Sequence, residues 1–154
     1  MADFIFNIAK GRVGVLVQNV KDGSPANARL LVMPLETTGL EADAALKDHD
    51  TLSALLAGTS NEQSTMGRKT VLAAAITLTV DDTNERLDID MSDITWTAAT
   101  GNAISALVVC YIPDGVTPGA DTTVIPLSKH DFSVTPDGSD ITVQIAAAGF
   151  FRAS

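Results

Sequence analysis

The sequence predicts a mainly β protein, a single-domain antiparallel β-sandwich or barrel with one or two short helices. Three observations lead there. Thr (17) and Val (13) are plentiful, and both suit a pleated strand. The acids are 15 Asp to 4 Glu, and the short Asp side chain competes for local backbone hydrogen bonds, so it favours turns and caps over helix interiors. Turn signals recur roughly every ten residues, the spacing of a sandwich or a barrel. A chain of 154 residues, 45% apolar and 19% charged, fits one packed domain and not a disordered tail.

The elements follow in order. Phe4, Phe6 and Ile8 alternate, as do Val13, Val15 and Val17, so residues 1–24 read as an extended N-terminal arm or first strand. Ile5 and Leu16 spoil that pattern. A helix through Ile8–Val20 is the alternative, weakened by Gly11 and Gly14 at about 1 kcal/mol each against Ala. Asp22–Pro25 is a turn, and Ala28–Leu35 is an apolar run of strand length with Pro34 near its end. Thr51–Ala57 is the best helix candidate, with Leu52, Leu55 and Leu56 on one face and Gly58 as its stop. Thr59–Gly67 is polar and is expected to be the most mobile internal loop.

The second half is more regular. Arg68–Val80 reads as strand at both ends of a triple alanine. Arg86–Met91 alternates, Leu87, Ile89 and Met91 against Asp88, Asp90 and Ser92, which predicts a half-buried strand with an acidic outer face, continued by Ile94–Ala98. Ile104–Ile112 is nearly all apolar and is the expected central strand. A Pro/Gly loop follows at Val116–Asp121. Thr123–Leu127, Asp131–Thr135 and Asp140–Ile145 are three further strands, the last two joined by a turn at Pro136–Gly138.

Charge narrows the partners. The net charge is −9, and residues 1–70 hold 7 Lys and Arg against 8 acids while residues 71–154 hold 3 against 11. So acidic a half repels phosphate backbones, which disfavours nucleic-acid binding. The longest apolar runs, Val71–Ile76 and Ala106–Ile112, are far short of the roughly 20 residues of a membrane span, and the first residues lack the pattern of a signal peptide. A single cysteine, Cys110, excludes an internal disulfide and a multi-cysteine zinc site.

Catalytic and ligand motifs do not assemble. Asp88–Asp93 starts like a calcium loop, but Asp93 and Ala99 stand where an EF-hand needs Gly and Glu. A solvated strand face is the simpler reading; Asp81, Asp82 and Glu85 gathering beside it into a weak cation site is the alternative. His49 and His130 are each followed by Asp, yet a general base and its orienter pair through space, and no Gly-x-Ser-x-Gly elbow supplies a nucleophile. Both histidines read as surface or turn residues, His130 at a strand entrance. Cys110 lies in the most apolar run, where a thiol behaves as a small hydrophobe. No glycine-rich phosphate cradle is present. The expectation is no catalytic residue, no metal and no cofactor.

The ends stand apart. Phe4, Phe6, Phe150 and Phe151 are four of the five phenylalanines, and each lies within a few residues of a terminus. Neighbours on a strand point to opposite faces, so Phe150 and Phe151 cannot both enter the core. Either the termini pair and close the sheet, or one of them docks on a partner through an aromatic anchor.

Several stretches resemble a known family: the opening MADFIFNIAKGRV, the segment LEADAALKDHDTLSALLAGTSNEQ, the pair DDTNERLDID and TWTAATGNA, and the ending IPLSKHDFSVTPDGSDITVQIAAAGFFRAS. Together, and in order along nearly the whole chain, they resemble small virion structural proteins of tailed bacteriophages. Gly14–Val17 departs from that family, whose pattern there is more polar and helix-like. The resemblance implies a capsid decoration (cement) protein, made in the bacterial host cytoplasm and carried on the outer surface of the head. Its partner would be the major capsid protein, with self-association as a trimer or other symmetric cluster, and without cofactor, nucleic acid or membrane. Lys10, Arg12, Lys21 and Arg29 would then face the shell and the acidic half the solvent. A tail or neck component is the rival reading, and a host-surface or carbohydrate-binding module a weaker one, since Trp96 and Tyr111 are its only large amphipathic rings.

Overall fold

In the computed structural model, which describes residues 2–115, 121–146 and 148–153, strands carry the architecture. In chain order the elements are β1 (Phe4–Ile5), a 3-10 turn (Asn7–Ala9), α1 (Val13–Asp22), β2 (Arg29–Glu36), α2 (Asp43–Leu46), α3 (Leu52–Ala57), β3 (Lys69–Val71) and a 3-10 turn (Ala73–Ala75). Then come β4 (Ile76–Asp81), β5 (Arg86–Met91), β6 (Ile94–Trp96), β7 (Ile104–Ile112), a 3-10 turn (Asp121–Thr123), β8 (Ile125–Val134), β9 (Ile141–Val143) and β10 (Phe151–Ala153). They form a five-stranded sheet in the order β1-β8-β7-β2-β3, a three-stranded sheet β10-β5-β4 and a pair β6-β9. Every pairing is antiparallel. The predicted mainly β, antiparallel class is therefore the observed one, with three short α-helices among the described residues where one or two were expected.

β7 is the middle strand of the large sheet, as its sequence predicts. Almost all of it is buried, because other elements cover both faces of the sheet. Register assigns the faces. Val32, Val109 and Leu107 pair in line with Ser128 and His130, so these side chains share one face, turned toward Met91, Ile94 and Val143 of the smaller sheets. Lys129 lies on the other face, toward α2. The buried apolar side chains join in one contiguous cluster.

The N-terminal segment corrects the reading of residues 1–24 as an extended arm: only Phe4–Ile5 is strand, and Val13–Asp22 is helix. Val13, Leu16, Val17 and Val20 are buried at the i, i+3, i+4, i+7 spacing of one helix face, and that burial outweighs the glycine cost. Gly14 has a packing reason. A Cβ there would sit 2.9 Å from Leu87 Cδ2, so the missing side chain lets α1 approach β5.

Three other expectations change. Thr123–Leu127 and Asp131–Thr135 are not separate strands: Ile125–Val134 runs through as β8, and Asp140–Ile145 shortens to β9. Ser128-Lys129-His130 reads as a polar break only because the distant groups that satisfy it are invisible in sequence; for the same reason His130 sits inside a strand and not at its entrance. Ile94–Trp96 does not continue β5 but pairs with β9. The loop Thr59–Gly67 is pinned. Gln63 is buried, its backbone N–H donates to Pro34 O (2.9 Å), and its side-chain amide donates to Asn102 O (2.8 Å); Trp96 Nε1 donates to Gly67 O (2.9 Å). The Pro/Gly loop expected at Val116–Asp121 lies, apart from Asp121, outside the described residues.

The remaining elements follow their sequences. The strand ends of Arg68–Val80 are β3 and β4, with the alanines in a 3-10 turn between them. Helix α3 is capped by Thr51, whose hydroxyl accepts the Ala54 N–H at 3.1 Å, and ends at Gly58.

Candidate functional site

Polar chemistry concentrates on β8 and on what reaches it from the N-terminus. A cleft of about 300 Å³ opens between the large sheet and β5, β6 and β9, floored by Leu107, Val109, Ile94 and Val143, with Asp3, His130 and Phe150 at its rim. His130 Nε2 lies 2.9 Å from Ser128 Oγ, and Nδ1 lies 3.3 Å from an Asp3 carboxylate oxygen. The order hydroxyl–imidazole–carboxylate is that of an acyl-transfer triad. Burial argues against that chemistry: Ser128 is 0% exposed, so its hydroxyl meets His130 without opening to solvent. The trio acts instead as a tether. Asp3 also accepts the Asp131 N–H at 2.7 Å, so the first residues are stitched to β8.

Lys129 faces the opposite way and is fully buried. Its ammonium donates to the Ala2 carbonyl (3.2 Å), to Asp43 (3.3 Å) and to Asp131, and it sits 5.6 Å from the centre of the Phe4 ring. A buried ammonium demands such partners. Partial burial works against the charge on Asp43, but the Ala2 N–H and Lys129 more than offset it and hold the carboxyl below its ordinary value.

A second node is Arg68, which donates to both oxygens of Glu62 (2.8 and 2.6 Å) and of Asp121 (2.6 and 2.9 Å). This double fork ties β3 to the 59–67 loop and to the turn before β8. It raises the Arg68 pKa and lowers that of Asp121. His49 is half-buried, 2.9 Å from Glu41, whose same oxygen accepts the Ser60 hydroxyl at 3.1 Å. With the carboxylate in the middle, holding both the imidazole and the hydroxyl, this is a loop clamp.

On the acidic face of β5, Asp88 is held by Arg152 (2.5 Å) and Arg86 (3.1 Å), and the Arg152 hydrogen bonds lower its pKa. Arg86 also reaches Asp81 at 3.2 Å. Arginines thus occupy Asp81 and Asp88, two of the carboxylates that sequence alone suggested for a cation. Cys110 is buried, and desolvation raises its pKa far above the ordinary thiol value.

The terminal residues divide. Phe6 is fully buried, its N–H donating to Leu127 O (3.0 Å); Phe4 is half-buried against it at 5.2 Å. Phe150 is half-buried beside His130, and Phe151 opens β10 against Ile89. Among the described residues the termini do not pair with each other. Each closes an edge of a different sheet. Gly149, at φ +80°, makes the second closure fit, since a Cβ there would come within 2.1 Å of Ile89 O. Lys10 and Arg12 are exposed between the first 3-10 turn and α1, and among the described residues neither makes an ion pair.

Sequence reasoning singled out His49 and His130 but not Asp3, Ser128, Lys129, Asp43, Arg68, Glu62 or Asp121. The one available signal was the lysine at the centre of a strand-length pattern, which demands buried counter-charges. No family model, curated protein or solved structure matches the chain.

Proposed function

We propose that this chain is a capsid decoration (cement) protein of a tailed bacteriophage, bound through the major capsid protein to the outer surface of the head. The observation that carries the reading is the sequence resemblance, which runs in order from MADFIFNIAKGRV to the C-terminal IPLSKHDFSVTPDGSD. Two features support it. Both ends are stitched into sheets, which suits a protein that must hold its shape at many equivalent sites. Lys10 and Arg12 are exposed on a strongly acidic protein and make no ion pair among the described residues, which leaves their charges available to an acidic shell surface.

Heads and tails separated on a gradient test the reading. Mass spectrometry should find the protein with the heads, in copy number comparable to the shell protein. Recovery with tails or necks would replace this reading by the tail-component one, and absence from both fractions would end it. On isolated heads, Lys10→Glu with Arg12→Glu should lower occupancy at least tenfold; unchanged occupancy would remove these two residues from the contact.

A further inference from the structure

The edges of the sheets are unequal. Among the described residues β1 has 2 residues, and β3, β10, β6 and β9 have 3 each, so their unpaired backbone is brief. β4, the outer strand of the three-stranded sheet, has 6, with no proline, lysine or bulge to blunt it. Its last apolar residue, Val80, is 71% exposed, and Val15 on α1 is 64% exposed. Between them, α1 and β4 bound a groove of about 370 Å³ lined by Val15, Gln18, Leu78, Val80 and Leu87.

The register tells which backbone groups point outward. Ile89 O accepts the Phe150 N–H at 3.0 Å, so the polar groups of Ile89 face β10. Leu78, opposite Ile89, therefore exchanges no hydrogen bond across β4–β5, and its N–H and C=O point to the open side, with those of Ile76 and Val80. Ile76 O is already taken from that side by Lys21 Nζ at 2.7 Å. Leu78 and Val80 are left as two successive outward residues without partners among the described residues.

We propose that this edge pairs with the same edge of a second copy of the chain, antiparallel about a two-fold axis at Thr79, merging two three-stranded sheets into one of six strands. The register follows from the unpaired groups: Leu78 of one copy bonds Val80 of the other, and the reverse, so all four outward N–H and C=O sets are used and the Ile76 carbonyls stay with Lys21. Val80 then leaves water to pack on Leu78 across the seam, next to the groove. Charge agrees with the antiparallel sense. The acidic hairpin end, with Asp82 outside every ion pair among the described residues, comes opposite Ile76 of the second copy, where Lys21 lies. The inference stands on the edge geometry and does not depend on the head-protein reading.

Sedimentation of the full chain over a concentration series should show the mass rising from one chain toward two. A single-chain mass up to the solubility limit, or convergence on three chains, overturns the proposal. Val80→Pro removes only an outward N–H and should raise the dissociation constant at least roughly tenfold with the circular dichroism unchanged. Should that variant misfold, Val80→Lys tests the same seam by charge. The register has its own test. Thr79 faces its counterpart as a non-hydrogen-bonded pair, at a Cα separation of about 4.5 Å that a disulfide can span. Thr79→Cys should give a disulfide-linked dimer on oxidation, and Thr77→Cys should not; a Thr79→Cys chain that dimerises but does not cross-link overturns this pairing.

Discussion

The large sheet and the three-stranded sheet solve the same problem differently. In the large sheet both faces are covered, β7 is apolar almost throughout, and the polar interruption on β8 is made tolerable by bringing Asp3, Asp43 and Asp131 to it. In the small sheet one face meets the core and the other meets water. β5 alternates, and its outward Asp88 is neutralised by Arg86 from its own end and by Arg152 from the C-terminal strand. Coverage on one face or two is what turns alternation into a continuous apolar run. The same difference separates a sealed region, whose charges are structural, from an open one, whose edge remains available.

The comparison breaks most readily at a buried leucine. Leu30→Ala in β2, fully buried, should cost about 3 kcal/mol in denaturant unfolding, whereas Leu78→Ala in half-buried β4 should cost about 1 kcal/mol. Equal losses would mean that the small sheet is sealed as tightly as the large one. Next comes the buried cation. Lys129→Met keeps the apolar stem but strands Asp43 and Asp131, which are 30% and 39% exposed, so the loss should be about 2 kcal/mol, below that of a fully buried pair. An unchanged midpoint would show that the ammonium contributes nothing net.

The smallest effect is that of acid. Asp43 and Asp121 titrate below the ordinary carboxylate value in the fold, so they contribute stability that is fully present above about pH 4 and is lost as pH falls through their depressed folded values. Thermal melts should show a Tm flat from pH 7 to about pH 5 with respect to these two groups and falling below about pH 4. A Tm that holds down to pH 3 would show that neither pair stabilises the fold.

How much could be read in advance varies with the range of the interaction. β5 and β7 were legible to the residue because alternation and continuous apolarity are local patterns that one or two covered faces impose. The short helix and its stop at Gly58 were legible for the same reason, although Thr51, expected inside the helix, is its cap. The polar network was not: Asp3 to His130, Lys129 to Asp43 and Arg68 to Asp121 join residues far apart in the chain, and a lone sequence carries no trace of which distant acid will arrive. On sequence alone β8 divides in two on that account.

By itself, then, the amino-acid order determined the antiparallel β class, the central strand, the one-sided strand β5 and the acidic character of the second half, because each depends on composition or on a period of two along the chain. Only the tertiary structure decided that Val13–Asp22 is helix, that Ser128-Lys129-His130 lies inside a strand, that the two aromatic ends close different sheets, and that no other strand among the described residues pairs with the outer edge of β4. Those outcomes hinge on which surfaces meet: burial of one face overrides the glycine cost in α1, counter-charges from remote segments make a polar run admissible in β8, and an edge stays open only when no other part of the chain arrives to cover it.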